Sequence, residues 1–173
     1  AIHQVRGLID PGEQVVVNYC DFSCYWDWND FQEMIAEQAV VGAIPAYKGF
    51  HPHSGGKTNY AYLRISNDRV LEIQEKKPFT SNKTEEFASS GTYYFASAKV
   101  MFDAFDFLIR NQISVNGEYY VSMAFNYLIM NNMPVCVYPL EHFMQWGTPE
   151  DFEEYKWWAK YFKSQNDKIC ASK

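Results

Sequence analysis

Asp21 directly follows residues 13–20 (EQVVVNYC), a compact β-branched apolar run after the Asp10-Pro11-Gly12 turn that reads as a buried strand. Ligands of open α/β sheets gather beyond the carboxyl ends of strands, so a carboxylate at this position faces a cleft. It suits a hard cation such as Mg²⁺, which takes oxygen ligands and shares them with phosphates. Asp27 and Asp30, in Trp26-Asp27-Trp28-Asn29-Asp30, lie close enough in sequence to help. The competing role is helix capping, taken here for Asp30. A second charged pair, Glu75 and Lys76 in Gln74-Glu75-Lys76-Lys77-Pro78, ends another strand. Glutamate accepts hydrogen bonds from sugar hydroxyls and lysine neutralises a phosphate, although such a run is also an ordinary solvated strand end. Gly91, opening Gly91-Thr92-Tyr93-Tyr94, permits close backbone approach by a ligand or simply a tight strand start. Residues 145–151 (QWGTPED) set amides and a hydroxyl at a helix start, where they face an anion or cap the helix.

Other chemistries find no support in the pattern. His51, His53 and His142 have no spacing that suggests a metal site or a triad, and no nucleophile elbow, Walker loop or dinucleotide fingerprint occurs. Cys20 and Cys24 lack a second pair at zinc-finger spacing, so the four cysteines read as free thiols of a reducing cytoplasm. The formal charge of −6, with no basic cluster longer than Lys76-Lys77, argues against a nucleic-acid partner. No apolar run approaches a membrane span. Thirteen Tyr, 13 Phe and 5 Trp make the chain 18% aromatic, which suits sugar clefts but equally suits cores and interfaces.

The elements that must position these residues follow from periodicity. Strands are expected at 13–20, 40–46 and 91–96 in one sheet, and a hairpin at 60–65 and 69–74 turning at Ser66-Asn67-Asp68. Helices are expected at 30–38, 98–110, 118–131 and 150–162, the last with Pro149 in its first turn and Glu150 and Asp151 complementing the dipole. A short strand falls at 134–139, a flexible loop at 51–58 (HPHSGGKT) and a polar loop at 80–86. Continuous apolar strands alternating with helices predict a mostly parallel sheet covered on both faces. Ala1-Ile2-His3-Gln4-Val5 lacks an initiator Met and reads as the middle of a helix, as expected of a processed or cut product.

The order of these signals resembles the sugar-phosphate nucleotidyltransferases, most of all the branch found with bacterial capsule and lipopolysaccharide genes. A strand ending in Asp21 comes first, then Tyr60-Ala61 before a hairpin, Glu75-Lys76-Lys77-Pro78 and Gly91-x-Tyr-Tyr. Asn116-Gly117-Glu118-Tyr119-Tyr120 and Gly147-Thr148-Pro149-Glu150-Asp151 follow. The resemblance runs from the first residues to about Trp158. It implies a Rossmann-like mixed α/β sheet of the nucleotidyltransferase or glycosyltransferase-A type, as one partial domain over residues 1–173. The implied activity joins a sugar 1-phosphate to a nucleoside triphosphate, releasing pyrophosphate with Mg²⁺, in the cytoplasm and for surface polysaccharide. Asp21 would hold the metal and serve catalysis together with Lys76, which would contact the sugar's phosphate. Glu75 would contact the sugar, Gly91 would do so through its backbone, and Glu118, Tyr60 and Ala61 would line the sugar pocket. A homo-oligomer stays open; nucleic acid and membrane are not implied as partners.

Two departures stand out. Many members of the family place Asp before Gly-Thr-Pro as a second metal ligand, where this chain has Gln145-Trp146, and many have Gly in place of Ala61. The family's opening Gly-rich loop with Arg and a downstream Lys has no counterpart in residues 1–173. The chain alone is therefore expected to lack the triphosphate-gripping strands, to be inactive, and to leave the strand at 13–20 with an open edge. The alternatives are a non-catalytic sugar-phosphate-binding domain, a glycosyltransferase of the same fold, and an interaction module. The glycosyltransferase is disfavoured because Ser23 stands where an Asp-x-Asp would need its second carboxylate.

Overall fold

A computed structural model describes residues 2–49, 51 and 59–171 of the chain. Along it come a 3-10 helix (Ile2–Leu8), β1 (Val15–Asn18), β2 (Phe22–Tyr25), α1 (Trp28–Gln38) and β3 (Gly42–Tyr47). Then follow β4 (Ala61–Ser66), β5 (Arg69–Glu75), β6 (Phe87–Ser89), β7 (Thr92–Phe95), α2 (Ala98–Arg110) and α3 (Val121–Met130). The last elements are β8 (Val135–Leu140), β9 (His142–Gln145) and α4 (Pro149–Ala171). No helix among the described residues is long and apolar enough to cross a membrane.

Seven strands form one mixed sheet in the order β1-β7-β3-β6-β4-β5-β8, and β3 also pairs with β8. The three strands expected to share a sheet are thus neighbours: β1, β7 and β3. The expectation of a mostly parallel sheet is corrected, because only β3 and β8 run parallel. Apolar continuity reports burial on both faces, and here antiparallel strands joined by short turns are buried that way too. All six residues of β3 are buried, and alternation splits them between two cores. Ile44 and Ala46 join α2 and α3 on one face, while Ala43 and Tyr47 join Phe31 of α1 on the other.

Local chemistry accounts for the ends of elements. In the β4–β5 turn, Asn67 (φ 48°) and Asp68 (φ 61°) both adopt the left-handed region that a two-residue hairpin turn demands. Ser97 Oγ caps α2 by accepting from Val100 N at 3.2 Å, and Met101, Phe105 and Leu108 form its buried stripe. The cap of α1 is Asp27, whose Oδ1 accepts from Asn29 N and Asp30 N at 2.8 and 3.2 Å. Asp30, expected as the cap, instead accepts a 2.9 Å bond from the Tyr138 hydroxyl. Thr148 Oγ1 accepts from Asp151 N (3.1 Å) and starts α4, as its sequence signal foretold.

Three expectations move. The run at 13–20 shortens to β1, a sheet-edge strand paired only with β7, and its alternate residues are exposed, Val16 to 41%. Its β-branched residues suit a strand of either kind, and the edge position rather than their hydropathy sets their burial. The helix expected from 118 begins at Val121. Asn116 (φ 52°) and Gly117 (φ 80°) make a turn, closed by a Val115–Glu118 bridge, that leaves Glu118 outside the helix. The chain's first turns form a 3-10 helix docked on α2 through a 2.6 Å Arg6–Asp106 ion pair. The loop expected at 51–58 lies, apart from His51, outside the described residues.

Candidate functional site

β1 delivers the chain to the carboxyl edge of the sheet, where Tyr19 N donates to Gly91 O at 3.1 Å. The chain then turns into β2, which pairs with β9 in a separate two-stranded ribbon, Phe22 opposite Gln145. Trp146 N donates to Asp21 O at 3.1 Å, fixing Asp21 at the start of that ribbon. The Asp21 carboxylate occupies the space that a Cβ on Gly147 would need, with Oδ2 2.5 Å from that point. Glycine in the Gly147-Thr148-Pro149 run therefore makes room for the acid. The same carboxylate is exposed and carries no hydrogen bond or ion pair among the described residues.

From across the cleft come β4 and β5. Ala61 pairs with Glu75, and Lys76 N donates to Tyr60 O at 2.9 Å. Glu75 Oε2 accepts a 2.5 Å bond from Ser122 Oγ, and Asn126, one turn further along α3, exchanges hydrogen bonds with the Ile73 backbone at 2.9 and 3.0 Å. Two side chains of one helix face thereby clamp the strand end that carries Glu75. Burial pushes the Glu75 carboxyl up from its ordinary pKa, against the lowering effects of Ser122 and the Lys76 charge.

These pieces enclose a cavity of about 160 Å³ whose wall includes Asp21, Tyr60, Ala61, Glu75 and Gly91. Five of the residues singled out from sequence therefore meet in one place. Lys76 and Glu118 stand at the rim. Lys76 adopts φ 57°, and its ammonium donates to Tyr120 Oη, lies 4.6 Å from the centre of that ring, and sits 3.9 Å from Glu118. Tyr120 in turn donates to Glu118 Oε2 and lines the cavity itself. Gly91 is required twice over, by φ 92° and by Tyr19, whose Cδ2 would lie 2.9 Å from any Cβ. Its N–H donates to Ser89 Oγ and its carbonyl accepts from Tyr19 N.

Tyr19, Tyr120 and Ser122 were not foreseen in this site, and Gln145 only as part of the run 145–151. Tyr120 carried a signal, since it stands within the Asn-Gly-Glu-Tyr-Tyr run that marked Glu118. Gln145 Nε2 donates to Asp151 Oδ2 at 3.1 Å, placing an amide and a second carboxylate beside Asp21's ribbon. Burial, reinforced by the Glu75 charge, pushes the Tyr19 hydroxyl up to about 12, so it acts as a neutral donor. Burial likewise raises Tyr60, with the Asp151 and Asp21 charges adding to the effect. No group of three or more His, Cys, Asp or Glu among the described residues is placed to hold a metal ion.

The raised Glu75 pKa carries a pH consequence. The native state holds that proton more tightly than the unfolded chain does, so its contribution to stability is greatest at low pH. That contribution falls as pH rises past the ordinary glutamate value of about 4.3, and levels off once the native carboxyl has ionised. Glu75→Gln is therefore expected to flatten the decline over that window and to raise the urea midpoint at neutral pH. A lower midpoint at neutral pH would mean that the Ser122 and Lys76 contacts outweigh burial.

No protein-family model matches the sequence, and no curated protein does. Solved structures do match. A nucleoside-diphosphate-sugar pyrophosphorylase from Vibrio cholerae RC9 superposes with a TM-score of 0.69 at 16% identity, over 89% of this chain and 60% of its own. A protein assigned as a glucose-1-phosphate thymidylyltransferase from Bacillus anthracis, solved in complex with sucrose, gives a TM-score of 0.62 at 16% identity, over 87% and 56%. The chain thus spans about 60% and 56% of the lengths of these two proteins. With its sheet order, two cores and cleft in place, this chain has the mixed α/β fold found in these two sugar-nucleotide proteins.

Proposed function

We propose that this chain is the sugar-phosphate-binding portion of a nucleotidyltransferase of Rossmann-like, glycosyltransferase-A type, which joins a sugar 1-phosphate to a nucleoside triphosphate and releases pyrophosphate. The capsule and lipopolysaccharide branch is the assignment that the motif order favours. Convergence of Asp21, Tyr60, Ala61, Glu75 and Gly91 on one cleft is the observation that supports this function most directly. A cavity of about 160 Å³ falls below the 300–1,000 Å³ of drug-sized sites and suits one small polar ring.

Glu75, held by Ser122, accepts hydrogen bonds from sugar hydroxyls, and the Gly91 carbonyl offers one more acceptor. Tyr60 and Tyr19 supply neutral hydroxyls beside an aromatic wall. Lys76 leaves Tyr120 and Glu118 to neutralise the phosphate, a mobile point charge on a flexible stem. The open Asp21 carboxylate fits Mg²⁺ as a lone protein ligand, the remaining positions falling to water and phosphate oxygens. When bound, that ion neutralises and aligns phosphate charge. In-line attack on an α-phosphorus needs little more than alignment and neutralisation, which is the role this reading gives these groups.

The test is calorimetry with glucose 1-phosphate and with glucose. Lys76→Ala is expected to weaken the phosphorylated sugar about 10- to 100-fold and to leave glucose unchanged, the loss of one charge-assisted contact. Equal loss for both ligands would make Lys76 structural. Micromolar, Mg²⁺-dependent binding of a nucleoside triphosphate to these 173 residues would overturn the assignment of the chain as a partial enzyme.

A further inference from the structure

Gln145 lines the cleft, yet neither strand pairing nor the chemistry proposed above uses its side chain. It ends β9 opposite Phe22, the residue after Asp21. Its Nε2 lies 3.5 Å, and Asp21 Oδ2 2.5 Å, from the point that a Cβ on Gly147 would occupy, so the amide and the carboxylate are neighbours.

The amide is held from one side. Gln145 Nε2 donates to Asp151 Oδ2 at 3.1 Å. A carboxylate oxygen accepts, so only the NH2 end of the amide can face it, and Oε1 is turned away from Asp151. Asp151 is itself fixed, because its N–H donates to Thr148 Oγ1 at 3.1 Å in the first turn of α4. Trp146 meets Tyr155 edge to face at 5.1 Å and fastens that helix to the ribbon. In a capping box the acid at this helical position reaches back to the N–H of the cap. Here the carboxylate is spent on Gln145 instead, a contact that starting a helix does not call for.

A neutral amide also suits the charges around it. Tyr60, another part of the wall, meets the same amide; burial raises its hydroxyl, and the nearby Asp151 and Asp21 charges raise it further. A third acid in this place would add repulsion, whereas an amide adds hydrogen-bonding capacity without charge.

We propose that Gln145 is a specificity-determining residue of the cleft and that Asp151 is its positioning residue. The carboxylate turns the amide, and the amide oxygen accepts a hydrogen bond from one hydroxyl of the sugar ring. This rests on the cleft being a sugar-phosphate site, as proposed above, and gives the ribbon wall a task separate from those of Lys76 and Asp21. A wall built to bond a hydroxyl rejects the analogue that lacks it, because its own polar group is then left unpaired.

Calorimetry on the 173-residue chain without Mg²⁺ tests this. Glucose, galactose and mannose 1-phosphates are titrated first, then analogues of the tightest that each lack one ring hydroxyl. Gln145→Ala is expected to weaken the parent sugar phosphate about three- to ten-fold, the worth of one neutral hydrogen bond. For a single deoxy analogue, the one lacking the hydroxyl that Gln145 reads, the same substitution is expected to cost nothing. Asp151→Asn removes the charge at nearly constant size and lets the amide turn, so it is expected to erode discrimination at that hydroxyl and at no other. Gln145→Met keeps the length of the side chain and replaces the alanine variant if circular dichroism finds that one unfolded. Equal loss for every analogue would make Gln145 a structural partner of Asp151 alone and overturn the inference, as would undiminished binding by the Gln145 variant. A wild-type chain that binds none of the three sugar phosphates would overturn the sugar reading of the cleft, and this inference with it.

Discussion

Phe125→Ala is expected to destabilise the protein by about 3–5 kcal/mol, the cost of removing a phenylalanine from a core that cannot close the gap. Phe125 is fully buried, with its ring centre 4.7 Å from Phe95 and 5.6 Å from Tyr93. Its edge rests on the backbone of Gly42, where a Cβ would lie only 2.8 Å from Cε1. One side chain therefore joins α3 to β3 and β7, and no neighbour is long enough to replace it. A loss of that size is a large part of the roughly 5–15 kcal/mol that holds a domain together. Tyr93 belongs to the cavity wall and accepts from Ser89 Oγ at 2.9 Å, so the cleft should loosen as well. Urea unfolding at constant m-value measures the effect, and a change below about 1 kcal/mol would mean that α3 repacks around the void.

Gly91→Ala is expected to cost about 2–4 kcal/mol and, on the proposed function, to weaken sugar binding together with stability. Two separate penalties combine. At φ 92° any Cβ strains the backbone, and that Cβ would lie 2.9 Å from Tyr19 Cδ2 and 3.4 Å from Phe22 Cε1. A double-mutant cycle with Tyr19→Ala separates them. Removing the ring should relieve the steric part and leave the backbone part, so the two changes should be non-additive. Strict additivity would place the whole cost in the backbone.

Much of the site was legible because its residues stand at strand ends, and strand ends announce themselves locally. A β-branched apolar run ending in Asp21 and the run Gln74-Glu75-Lys76-Lys77-Pro78 mark where extended backbone stops and side chains face a cleft. α2 was legible over its full length, since Ser97 caps it and Met101, Phe105 and Leu108 repeat at helical spacing. The ribbon of β2 and β9 was not. Each strand has four residues without a clear alternation, and their pairing joins positions more than a hundred residues apart. Neither propensity nor period reaches across that distance.

The sequence by itself determined which groups could do chemistry and at which strand ends they stand. What holds them was decided only by the tertiary structure. The Ser122 hydroxyl that clamps Glu75, the Tyr120 ring under Lys76, and the Gly147 backbone that makes room for Asp21 are contacts of 47, 44 and 126 residues' separation. A lone serine in a helix or a tyrosine before one has the same local signature wherever it points. Its partner is chosen when α3 packs on β5 and the ribbon folds over the sheet edge. Burial then raises the Glu75 and Tyr19 pKa values, because desolvation acts on the charged form of whatever the packing encloses.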